Sequence, residues 1–114
     1  FLKLFADAAA DLPNGHPGCI VASYVYQDHL FSSDVRALAS EGHLIWRRRF
    51  REKLDRIAER YPPRIEANFD DLADMLSAVA DGGIILSKSL RDPGILPRQI
   101  LLCRQFVKLV FLGN

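Results

Sequence analysis

Cysteine is scarce in this chain: Cys19 and Cys103 are the two present, far apart and in no zinc-type spacing. Neither a structural metal nor a disulfide framework organises such a chain, and the two residues read as free buried thiols in a reducing cytosol. No run of ~18 consecutive apolar residues exists, so no membrane span is expected. Charge of one sign is lacking too. Lys and Arg number 15 against 14 Asp and Glu, for a net charge of +1. That balance gives no global field for nucleic acid or an anionic membrane. His16, His29 and His43 form no HxxxH or HExxH word, so no metal site is expected. Ser32, Ser33, Ser87 and Ser89 sit in no G-x-S-x-G turn, which leaves a hydrolase without a nucleophile. Gly82-Gly83 is no phosphate loop, because it lies inside an apolar helical pattern. Internal repeats and low-complexity tracts are absent. With no acid, base and nucleophile constellation in view, the chain reads as a non-enzyme without a cofactor.

What is present is greasy and helical. The chain has 114 residues, 49% of them hydrophobic and 25% charged, which suits one folded domain with its own core. The stretch Asn68 to Gly113 organises the rest, as two apolar helices meeting at Asp92-Pro93-Gly94. In the first, Leu72, Leu76, Val79, Gly83, Leu86 and Leu90 share one face, with Met75, Ala78, Gly82 and Ile85 as a second stripe beside it. In the second, Leu96, Ile100, Cys103, Val107 and Val110 form one line and Leu102, Phe106 and Leu109 another. Helices apolar over so much of their circumference are buried on two sides, one by the chain's own core and one by a partner. Two glycines inside a helix cost roughly 1 kcal/mol each relative to alanine, so close approach of another helix or of a ligand is expected there.

In chain order, Phe1, Leu4, Phe5, Ala8, Ala9 and Leu12 repeat at helical spacing until Pro13-Asn14-Gly15-His16-Pro17-Gly18 stops them. The chain thus opens inside an apolar-periodic segment with no initiator Met, which points to a fragment of a longer protein. Cys19 to Leu30, though rich in Val, Ile and Tyr, is expected to be helical, because a lone strand would have no partner. Ser32-Ser33-Asp34 supplies capping side chains for a helix whose stripe runs through Leu38, Ala39, Gly42, Ile45, Trp46, Phe50, Leu54, Ile57 and Tyr61 until Pro62-Pro63. Asn68 caps the helix at Phe69, with Asp70 and Asp71 in its first turn. The last helix runs from about Ile95 to Leu112. The expected fold is an all-α bundle of about five helices in a single domain.

The one basic cluster, Arg47-Arg48-Arg49 with Arg51, is interleaved with Glu52, Asp55 and Glu59 and reads as a solvated, ion-paired face, Glu52 standing four residues before Arg56. Arg49 borders the apolar stripe and could instead reach a pocket carboxylate. The two terminal helices predict a symmetric homodimer. In it Ala80, Gly83 and Ser87 would let backbones approach closely, while Leu102, Phe106 and Leu109 supply the bulk.

The segment Gly18-Cys19-Ile20-Val21-Ala22, after a Pro/Gly turn and before Ser33-Asp34-Val35-Arg36-Ala37-Leu38, resembles a helix pair in the regulatory domain of TetR-type transcriptional repressors. Asn68-Phe69-Asp70-Asp71-Leu72-Ala73-Asp74-Met75-Leu76-Ser77-Ala78-Val79-Ala80-Asp81-Gly82 resembles that family's penultimate helix. The likeness covers nearly the whole chain in element order and spacing. It implies a ligand-binding and dimerisation domain with a cavity for a small apolar or aromatic effector. Tyr24, Tyr26, Trp46, Phe50, Met75 and Val79 are the expected lining, with Gln27 nearby. The family's N-terminal helix-turn-helix is missing from these residues, so operator DNA would be reached only through that missing part. A helical dimerisation or scaffold module without a cavity is the alternative.

Overall fold

The computed structural model describes residues 1–113, and these fold into five α-helices and no strand. They are α1 (Leu2–Ala10), α2 (Ile20–Tyr26), α3 (Ser33–Arg60), α4 (Phe69–Ser89) and α5 (Ile95–Leu112). The all-α expectation therefore holds. α4 and α5 form a central antiparallel hairpin, α1 lies along α5, and α3 lies along α4. The result is a slab of 44 × 33 × 18 Å, whose length is that of the 28-residue α3, about 42 Å at 1.5 Å per residue.

The starts and stops follow local chemistry. Asn68 Oδ1 accepts from the Asp70 and Asp71 N–H groups at 2.8 and 3.2 Å, which satisfies two of the free donors at the head of α4. Ser32 Oγ accepts more loosely, at 3.5 Å, from Val35 N–H. α3 stops ahead of Pro62-Pro63. The α4–α5 turn has Arg91 at φ 52°, and Asp92 Oδ1 accepts from Gly94 N–H at 2.9 Å. The α1–α2 connection packs on this turn: a side chain at Gly15 would put its Cβ 2.9 Å from Pro93 Cβ, and Gly15 sits at φ 78°. Glycine suits both demands.

Two buried clusters hold the layers together. Ala6 and Ala9 of α1 meet Ile84, Leu96 and Ile100 at one end. Leu54 of α3 meets Leu72, Ala73, Val110 and Phe111 at the other. The α3–α4 loop is tied to the end of α5 by Arg64 N–H donating to Val110 C=O at 2.7 Å.

Three expectations need correction. The segment from Cys19 to Leu30 is not one helix: α2 ends at Tyr26, and Asp28–Leu30 tightens into a 3₁₀ turn. No residue of α2 is buried, so no core contact holds its last turn in α geometry. The α3 stripe is largely exposed. Leu54 alone is buried, while Leu38, Ile45, Trp46 and Tyr61 face solvent, because α2 and α4 cover only part of so long a helix. On α4, Leu72, Leu76 and Gly83 are buried, but Val79 is half-buried and Leu86 and Leu90 are exposed. Residues seven apart drift ~20° per heptad on a straight helix, so the buried line passes to Ile84 and Ser87 instead.

Candidate functional site

Two surfaces stand apart from the cores. The first is the side of the α4–α5 hairpin that faces away from α1 and α3. On α4 it carries Ala78, Val79, Gly82, Ile85 and Leu86, a line without a charged residue. On α5 it carries Leu102, Phe106 and Leu109, which are 61%, 45% and 41% exposed. Nothing among the described residues covers the α5 part of this face.

The small residues expected at a partner's crossing do a different job. A Cβ on Gly83 would lie 2.9 Å from Leu96 Cδ1 and 3.2 Å from Leu96 Cα, so the close approach that the glycine permits is that of α5 in the same chain. Ser87 Oγ accepts from the Leu96 N–H at 3.1 Å. Both residues are buried and Ala80 is half-buried. Gly83 and Ser87 are thereby removed from the expected dimer interface, whereas Leu102, Phe106 and Leu109 remain available. Sequence periodicity could not separate an internal crossing from an external one, because both favour small residues.

The second surface is a groove of about 310 Å³ between α2 with its 3₁₀ turn and the first half of α3. Val25, Phe31, Val35, Ala39 and Leu44 make it apolar, and Tyr24 stands edge-on to Phe31 with ring centroids 4.9 Å apart. Asp28, Arg36, Ser40, His43 and Arg47 supply its polar atoms. Its volume lies at the lower end of the roughly 300–1,000 Å³ usual for ligand pockets.

Of the six residues expected to line a cavity, Tyr24 alone borders this groove. Trp46 and Phe50 stack on each other at 5.5 Å and turn toward α1, where the Phe1 ring lies 6.0 Å from that of Phe50. Met75 packs against the Leu54 cluster, Val79 lies half-buried on α4, and Tyr26 is exposed. The structure does not bring these six together: Trp46 lies off the α3 face that lines the groove, and the Phe1 ring takes the flank that Phe50 offers. Gln27 and Arg49 are exposed.

What sequence reasoning missed is a row of ion pairs joining α3 to α4. Arg47 Nε and Nη2 donate to Asp74 Oδ1 and Oδ2 at 2.8 and 2.6 Å, a bidentate pair. Arg51 Nη1 donates to Asp70 Oδ1 and its Nε to Asp55 Oδ1, both at 3.0 Å, and its guanidinium lies 5.4 Å from the Phe69 ring centre. His43 Nε2 stands 3.9 Å from Asp81 Oδ2. The hydrogen bonds from Arg47 hold the Asp74 carboxyl below its ordinary value, and Asp74 in turn raises the Arg47 guanidinium. Arg47 and Arg51 are thus ion-paired and partly exposed, as expected, but they also clamp α3 to α4. The signal was available, since residues 43, 47 and 51 are spaced four apart and Asp70, Asp74 and Asp81 share one side of α4.

Elsewhere the polar residues have local roles. His16 Nδ1 accepts from Gly18 N–H at 3.0 Å and so belongs to the turn. Burial pushes the Cys103 thiol up, and Cys19 is half-buried. Among the described residues, no three His, Cys, Asp or Glu side chains converge as a metal site would need, and no helix is long and apolar enough to cross a membrane. No family model, curated protein or solved structure matches the chain.

Proposed function

We propose that the chain is the dimerisation and effector-sensing domain of a TetR-like transcriptional repressor, acting in the cytoplasm by binding rather than by catalysis. The observation that carries this reading is the bare apolar face of α4 and α5. Soluble monomers rarely keep so continuous a greasy patch, and a two-fold axis lets one patch cover its own copy. Four helices, two from each chain, would then close an intermolecular bundle. A small apolar or aromatic effector would enter the groove between α2 and α3 and favour one arrangement of the helices over another. The ends of the two α1 helices would move, and with them any DNA-binding heads that precede α1. This is a population shift, which the effector can drive only by its differential affinity for the two arrangements.

A second reading, a dimerisation or scaffold module without a sensor, is favoured by the groove's open side and by the dispersal of five of the six expected lining residues. Sedimentation velocity tests the part the readings share. The domain should sediment as a dimer at tens of micromolar. Phe106→Asp should give a folded monomer, since Phe106 is already half in water within its own chain and Asp would meet an apolar surface only in the dimer. A monomeric wild type, or a Phe106→Asp variant that still dimerises, would discard this face. A saturable rise in thermal stability with apolar aromatic compounds would separate the sensor from the scaffold, because a ligand that binds only the native state must stabilise it.

A further inference from the structure

We propose that the groove between α2 and α3 takes an anionic amphiphile, an alkyl or aryl body carrying one carboxylate, whose acid group engages Arg47 and His43 in competition with Asp74 and Asp81 of α4. This rests on the sensing part of the function proposed above, and it names the ligand class and the route by which the ligand is felt.

Two side chains serve both places at once. His43 and Arg47 line the groove, and the same two stand against carboxylates of α4. Arg47 spends two N–H donors on Asp74 out of the five that a guanidinium offers, so a second carboxylate can share or displace the first. The His43–Asp81 contact, at 3.9 Å, is beyond hydrogen-bond length and is the weaker hold. An anion competes for these groups more strongly than a neutral acceptor can. A neutral ligand would fill the apolar floor of Val25, Val35 and Leu44 and disturb the two ion pairs less, and a cation would be repelled by Arg36 and Arg47 on the α3 wall. Asp28, on the opposite wall, makes no ion pair among the described residues, so the acid is turned toward the α3 wall of Arg36, His43 and Arg47; the His43 and Arg47 end is the one joined to α4, and an acid there leaves the apolar body toward Phe31. α4 also carries the bare face, and loosening its contacts with α3 gives an acid in the groove a physical path to chain association.

The test uses three probes of one shape: 3-phenylpropionate, its neutral amide and 3-phenylpropylamine. Each is titrated into the protein while the backbone amide signals of residues 35–47 are followed by NMR. The carboxylate is expected to bind at least about ten-fold more tightly than the amide, as a charge-assisted hydrogen bond warrants. Asp74→Asn keeps the shape of Asp74 but weakens its hold on Arg47, so it should raise the carboxylate's affinity several-fold and leave the amide's unchanged. Arg47→Gln should lower the carboxylate's affinity to that of the amide. Equal binding of all three probes in the groove, or an Asp74→Asn variant that binds the carboxylate no better, overturns the anionic assignment while the groove stands as a sensor. No response at residues 35–47 to any probe overturns the sensing reading itself, and this one with it.

Discussion

Adjacent glycines with opposite fates give the sharpest check on the α4–α5 packing. A methyl group at Gly82 meets nothing within 4 Å, so Gly82→Ala should gain the helix-propensity difference alone, about 1 kcal/mol. Gly83→Ala gains the same propensity but places its Cβ 2.9 Å from Leu96 Cδ1 and 3.2 Å from Leu96 Cα. Leu96 is 2% exposed and its side chain has nowhere to turn; its α-carbon is part of the main chain, so α5 itself must give way. Overpacking of this kind costs about 1–3 kcal/mol. Propensity cancels between the two variants, so their difference isolates that cost, and it should appear as a Tm lower by at least about 4 °C for Gly83→Ala. Urea and thermal unfolding at two protein concentrations are the assay. Gly82 lies on the bare face, so any effect it has through association depends on concentration, whereas the Gly83 penalty does not. If the two variants are equally stable, α5 does not cross α4 at Gly83.

Ser87→Ala should lower stability by about 1–3 kcal/mol, because the Leu96 N–H loses its acceptor in a buried position, and hydrogen exchange at that amide should quicken in native conditions. Acid should loosen the join between α3 and α4. The folded-state pKa of Asp74 is depressed by Arg47, so its contribution is fully present above the unfolded value near pH 4 and is lost as pH falls through the folded one. Asp74→Asn should lower stability at pH 7 by the same modest amount that the wild type loses in acid, modest because the pair is half-exposed and partly screened, and should flatten the profile below about pH 4. An unchanged acid limb in the variant would show that the pair does not hold α4.

Much of the fold was legible because each helix carries its own punctuation. Asn68, Ser32, Pro62-Pro63 and the Asp92-Pro93-Gly94 turn fix ends by local chemistry, and the inward line of α5 reads directly from its spacing. The outward line of Leu102, Phe106 and Leu109 was legible as well. Legibility failed where two neighbours could have used the same residues. A buried glycine and serine on α4 suit an internal crossing as well as an external one, and only the position of Leu96 decides between them. The groove was hidden for another reason. Its walls come from a seven-residue helix with no core contact and from a face of α3 that mixes Val35, Ala39 and Leu44 with Arg36, Ser40, His43 and Arg47, so no clean apolar period points to it. Arg47 was visible as a charge but not as a link, because its partner stands on another helix.

The packing of α1 on α5 has a consequence for how the chain comes off the ribosome. Leu2, Phe5, Ala6 and Ala9 find their partners at Ile84, Leu96 and Ile100, close to the other end of the described residues. At the roughly 5–20 residues per second of translation, α1 waits on the order of several seconds for α5 to be made. Until then the apolar side of α1 lacks its cover from α5, so it should emerge open to a chaperone or to the α5 of a neighbouring chain. A chain truncated before Ile95 reproduces that interval, and its α1 amides should exchange as freely as those of an unfolded peptide; protection there would mean that α1 has a partner earlier in the sequence.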